Sequence, residues 1–138
     1  MVVHEVGNFF DTNIVLYLLS ADTAKADRAE ALLATGGRIS VQVLNEFASV
    51  ATRKLRMSWP EIREVLSQVR AVCVVETLTP ETHDRALHIA ERYGFSIYDA
   101  LIVAAALLSD CATLYSEDMQ HGQVIDRTLK IRNPFSVK

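Results

Sequence analysis

Short apolar runs of strand length alternate along this chain with longer stretches whose apolar residues recur every three or four positions. That is the pattern of an α/β domain built on a mostly parallel sheet. The first strand is expected to be short, ending near Phe10, with a helix from about Thr12 or Asn13 that carries Ile14 to Leu19. Thr23 can cap a second helix in which Ala29, Leu32 and Leu33 share a face, and the Gly36-Gly37 pair offers a left-handed exit. Arg38 to Val41 reads as the second strand. From Gln42 to about Arg56 the residues Val43, Leu44, Phe47, Val50, Ala51 and Leu55 keep helical spacing. Ser58-Trp59-Pro60-Glu61 has the form of a capping box and opens a fourth helix running to about Arg70, with Trp59 as an anchor at its start.

Val72 to Glu76 is the third strand by composition. Thr79-Pro80 starts a fifth helix with Ala86, Leu87, Ala90 and Tyr93 on its core face and Gly94 at its end. A sixth helix begins near Tyr98-Asp99 and is apolar almost all round through Leu108, so it should be buried. Ala112 to Tyr115 is a fourth strand, followed by Ser116 as a cap, and Lys130-Ile131 supplies a possible fifth. The expectation is one domain over residues 1–138, with a central sheet of four or five strands flanked by helices.

Composition sharpens this picture in a few places. With 138 residues, half of them hydrophobic, the chain can bury one real core and is too short for two ordinary ones. The longest apolar stretch, Ala100 to Leu108, is about half of what a membrane-spanning helix needs. No secretory signal opens the chain, so a soluble cytoplasmic protein with no membrane partner is expected. Cys73 and Cys111 sit among apolar neighbours without metal-ligand spacing and read as buried reduced thiols. A formal charge of −3 argues mildly against a nucleic-acid partner, because phosphate contacts normally leave a basic footprint. Bound divalent cations would reverse that sign, so the deficit can belong to an acidic metal site.

Four acids suggest such a site. Asp11 follows Phe9-Phe10, Asp99 follows Ile97-Tyr98, Asp118 follows the apolar segment ending at Tyr115, and Glu46 lies just past Arg38 to Val41. Open α/β sheets bind ligands beyond the carboxyl ends of their strands, where this reading puts Asp11, Asp99 and Asp118. Hard carboxylate oxygens without paired His or Cys select Mg²⁺ or Mn²⁺ over Zn²⁺, and such an ion can acidify a water, orient a phosphate and steady a leaving oxygen. Each residue also has a plainer reading: Asp11 and Asp118 as helix caps or turn residues, Glu46 as an exposed helical residue. Asp99 stands out because it interrupts an apolar stretch. His121 reads as a surface histidine, His4, His83 and His88 have no evident partners, and Arg53, Lys54 and Arg56 complement a helix C-terminus.

Phe9-Phe10-Asp11-Thr12-Asn13-Ile14 resembles the opening motif of PIN-domain ribonucleases, and Val43-Leu44-Asn45-Glu46-Phe47 resembles their second acidic motif. Ser96 to Ile102 and Tyr115-Ser116-Glu117-Asp118 are similar to the third and fourth. The resemblance spans nearly the whole chain and is strongest to the VapC toxins of toxin–antitoxin pairs, including a subgroup with Ser116 to Gly122 and the Asn133-Pro134-Phe135 tail. It implies a Mg²⁺- or Mn²⁺-dependent endoribonuclease with Asp11, Glu46, Asp99 and Asp118 as catalytic, metal-holding acids. It further implies Thr12, Asn13 and Ser116 as polar supporters, a homodimeric toxin, an RNA substrate, a 5′-phosphate product and a small cognate antitoxin. The roughly ten residues before Asp11 exceed the lead of many relatives. Rival readings are a receiver-like or dehalogenase-like phosphotransfer domain and a noncatalytic RNA- or protein-binding module. A dehalogenase-like site would want Asp where Asn13 stands, and a receiver would want Lys where Asp118 falls.

Overall fold

A computed structural model describes residues 7–135. Its elements run β1 (Asn8–Phe10), α1 (Thr12–Leu16), a 3-10 turn (Tyr17–Leu19), α2 (Thr23–Ala34), β2 (Gly37–Ser40), α3 (Val41–Arg53) and α4 (Trp59–Val72). They continue as β3 (Cys73–Glu76), α5 (Pro80–Tyr93), α6 (Ile97–Leu108), β4 (Thr113–Tyr115), β5 (Val124–Ile125) and β6 (Leu129–Arg132). The sheet order is β3-β2-β1-β4-β6-β5, parallel throughout except for β5 against β6. The mostly parallel sheet is as expected, with six strands in place of four or five. The two-residue β5 is too short for a periodic signal and is held only by its ladder to β6.

Successive crossovers carry the chain from β1 outward to β2 and β3, and β4 then returns to the other side of β1. Between β1 and β4 the winding reverses, which opens a crevice beyond the strand ends at the point where loops diverge. Phe9, Phe10 and Leu114 on these two strands are fully buried, as are Ile39 on β2 and Ile131 on β6. Helix α3 puts Val43, Phe47 and Ala51 against that core, and α6 buries six consecutive residues from Ile102 to Leu107. The near-continuous burial of α6 explains why it lacks a polar stripe.

Local chemistry accounts for most boundaries. The Ser58/Glu61 capping box opens α4, a second box pairs Thr79 with Thr82 on α5, and Gly94 leaves α5 at φ +79°. Five expectations fail. Asp22, and not Thr23, caps α2, its carboxylate accepting from the N–H groups of Ala24 and Lys25. Gly37 is a strand residue while Gly36 alone takes the left-handed turn; a Cβ on Gly37 would come 2.6 Å from the Phe10 ring. Trp59 is 61% exposed and anchors nothing, because the capping box already fixes that helix start. Leu55 lies beyond the end of α3, and Leu87 is half exposed, so the core face of α5 is Thr82, Ala86 and Ile89 with Ala90 and Tyr93 packed partly against it. Among the described residues, no helix is long and apolar enough to cross a membrane. His4 and the residues up to 6 lie outside the described span.

Candidate active site

Asp11 directly follows β1 and caps α1, its Oδ1 accepting from Thr12 N–H at 2.7 Å. Its Oδ2 accepts from the Ser116 hydroxyl at 2.7 Å and, at 3.4 Å, from the Asn13 amide. Ser116 follows β4, the strand beside β1, so adjacent strand ends place an acid and its donor together. The same serine oxygen accepts from the N–H groups of Asp118 and Met119, which shapes the turn that carries Asp118. Asn13 completes the link: its Nδ2 also donates to Asp118 Oδ2 at 3.1 Å, and its Oδ1 accepts from Glu117 N–H.

Glu46 sits one turn into α3, which leaves the end of β2. One of its oxygens accepts from the Thr12 hydroxyl and the other from Gln42 Nε2 at 3.0 Å. Asp99 lies in the first turn of α6, where Ser96 is the cap and accepts the Asp99 N–H at 3.2 Å. Asp99 is therefore not itself the cap, and its carboxylate accepts no hydrogen bond among the described residues.

The electrostatics are one-sided. Burial pushes the Asp11 carboxyl up to about 6, against the opposing help of the Ser116 and Thr12 donors, with Asp99 and Asp118 raising it further. Asp99 is also raised, by partial burial first and then by Asp118 and Glu46. Among the described residues the charged groups that shift these two acids are carboxylates, and none of the three ion pairs engages any of the four acids, although Lys25 pairs with Glu117 next to Asp118. A buried carboxylate without a cation is costly, which is the condition that a bound cation relieves.

Asp11, Glu46 and Asp118 are thus joined at one end of the sheet through Thr12, Asn13 and Ser116, and Asp99 stands near enough to feel Asp118 and Glu46 without sharing those hydrogen bonds. They do not converge on one point: among the described residues, no three acids, histidines or cysteines stand together as a ready-made metal cage. Like charges spread apart, and hydroxyl and amide donors occupy the gaps between them. By donor chemistry the set suits a hard divalent cation, since what the four acids offer is carboxylate oxygen. The 420 Å³ groove lined by Leu18, Leu33, Val69 and Val72 contains none of the four acids.

Sequence reasoning missed two contributors. Gln42 bridges Glu46 and the Tyr98 carbonyl, a link between residues 56 apart that no local pattern announces. Glu117 pairs with Lys25 at 3.3 Å and accepts from the Tyr17 hydroxyl, while Phe135 packs edge-on against the Tyr17 ring. His121 is structural: its Nδ1 accepts from Asn133 N–H at 2.9 Å and holds the Asn-Pro-Phe segment. Arg53 is engaged with Ser49 on its own helix.

Residues 9–125 match the family model for the PIN domain. Comparison with curated proteins gives no match. Among solved structures, a toxin–antitoxin complex from Klebsiella pneumoniae is similar at TM-score 0.71 and 18% identity, over 95% of this chain and 100% of that one. A VapC toxin of Mycobacterium tuberculosis, described as cleaving the sarcin-ricin loop, aligns at TM-score 0.64 and 22% identity, over 78% of this chain and 87% of its own. The Rickettsia felis VapBC pair, solved on a DNA fragment of its promoter, aligns at TM-score 0.64 and 18% identity, over 91% and 98%. At these identities the likeness is one of fold.

Proposed function

This chain belongs to the PIN domain family, and we propose that it is a divalent-metal-dependent endoribonuclease acting as the toxin of a toxin–antitoxin pair. The observation that carries the reading is the linkage of Asp11 to Asp118 through Asn13 and Ser116 and to Glu46 through Thr12, beyond the adjacent ends of β1 and β4, with Asp118 and Glu46 both acting on Asp99. Asp11, Glu46, Asp99 and Asp118 are the residues that would hold Mg²⁺ or Mn²⁺. When bound, such an ion supplies charge neutralisation at the phosphate and a more acidic water.

The chain's own residues supply the rest. Ser116 keeps Asp11 oriented by donating to Oδ2, and by accepting two backbone N–H groups it keeps Asp118 on the same side of the sheet. Asn13 spans both acids with one amide nitrogen. Thr12 fixes Glu46. Support for a toxin role and an antitoxin partner comes from the fold shared with toxin–antitoxin proteins.

The test is cleavage of a mixed RNA substrate by the purified protein in Mg²⁺ or Mn²⁺, against the same reaction in EDTA. Internal cuts with 5′-phosphate ends that vanish in EDTA are expected. Cleavage that persists in EDTA, or products with 2′,3′-cyclic phosphates, would refute the proposed chemistry.

A further inference from the structure

Gln42 is buried, with 8% of its surface exposed, on the same face of α3 as Glu46 one turn later. Its Nε2 donates to Glu46 Oε2 at 3.0 Å and to the backbone carbonyl of Tyr98 at 3.1 Å. Both partners are acceptors only, so the amide cannot be turned round without setting oxygen against oxygen. The consequence is that Oε1 is left buried with no donor among the described residues.

A glutamine placed here merely to fill space would be a poor choice. Methionine has similar length and volume and brings no buried acceptor that needs a partner. What glutamine adds is the pair of donated hydrogen bonds, and these join two different acidic elements. One reaches the Glu46 carboxylate on α3, and the other reaches the residue directly before Asp99 in the first turn of α6. With Thr12 on the other Glu46 oxygen, the carboxylate is gripped at both ends.

We infer that Gln42 is a positioning residue, which sets the Glu46 carboxylate and the first turn of α6 at a fixed separation so that Glu46 and Asp99 can serve one cation. The inference rests on the metal-dependent reading above. Outer-shell partners of metal-holding groups commonly govern affinity by about 10- to 100-fold when they are removed.

The experiment measures Mn²⁺ binding, by the electron paramagnetic resonance of free ion, for wild type, Gln42→Met, Glu46→Ala and the double variant, alongside thermal unfolding of each without metal. Gln42→Met should unfold at the wild-type temperature or above it and bind Mn²⁺ about 10- to 100-fold more weakly. In the Glu46→Ala background the same change should alter affinity by less than about twofold, because the group it acts through is gone. Unaltered Mn²⁺ affinity in Gln42→Met, or an equal loss with and without Glu46, would overturn the positioning role while leaving the metal site standing. No Mn²⁺ binding by wild type would instead remove the metal site, and this role with it. Should Gln42→Met fail to fold, Gln42→Leu gives the same comparison.

Discussion

The hydroxyl of Ser116 donates to Asp11 Oδ2 at 2.7 Å, across 105 residues of chain, because β1 and β4 are neighbours in the sheet and both end at the same level. One oxygen atom thereby serves as donor to one acid and as acceptor for the turn that bears another. Ser116→Ala removes both functions and leaves two N–H groups without that acceptor. A loss of about 1–3 kcal/mol is expected in urea unfolding. Because the Ser116 donor lowers the Asp11 pKa, the variant should also titrate Asp11 above its present value of about 6.

Asp11 itself should make stability depend on pH. Its carboxyl is raised in the folded protein from 3.8 to about 6, so the folded state holds the proton more tightly than the unfolded chain. The stabilisation is complete below about pH 4 and is lost as pH rises through about 6. A change from 3.8 to about 6 corresponds to ~3 kcal/mol. Denaturant melts from pH 4 to pH 7.5 without metal should show that decline in wild type, and Asp11→Asn should remove it.

Asp99 can be separated from any structural duty. Ser96 caps α6, and the Asp99 side chain meets only repulsion from Asp118 and Glu46 beyond its partial burial. Asp99→Asn keeps the shape and deletes that repulsion, so the metal-free variant should melt at or above the wild-type temperature while RNA cleavage is lost. A substantial fall in melting temperature would return Asp99 to a structural role.

The cysteines should be silent. Burial pushes the Cys73 thiol up to about 11 and raises Cys111 as well, and both are free. Thiolate is the reactive form, so iodoacetamide at pH 8 should label neither in the native protein and both in urea. Rapid native labelling would show that the packing around them opens readily.

The acids were legible because each interrupts or follows an apolar run that a buried strand or helix requires, and their order along the chain matched a known family. Ser58 and Glu61 announced their helix because capping chemistry is local. What stayed hidden depends on contacts across the fold. Gly37 looks like half of a turn until Phe10 is seen lying against it. Gln42 looks like an ordinary helical glutamine until the Tyr98 carbonyl arrives from α6. Asp22 and Thr23 are both good caps, and only the path of the chain chooses between them. Leu87 kept helical spacing on α5 yet is half exposed, because spacing alone cannot say where a buried face stops.

The central claim is that acids held apart by Thr12, Asn13, Gln42 and Ser116 together accept a divalent cation. Thermal unfolding of wild type and Asp99→Asn, each in EDTA and in saturating Mn²⁺, tests it directly. An ion at about a hundred times its dissociation constant adds roughly 2.7 kcal/mol, on the order of 5–10 °C for a chain of this size. Wild type should rise by that amount and Asp99→Asn should not. Equal melting temperatures in EDTA and Mn²⁺ for wild type, or an equal rise in the variant, would contradict it.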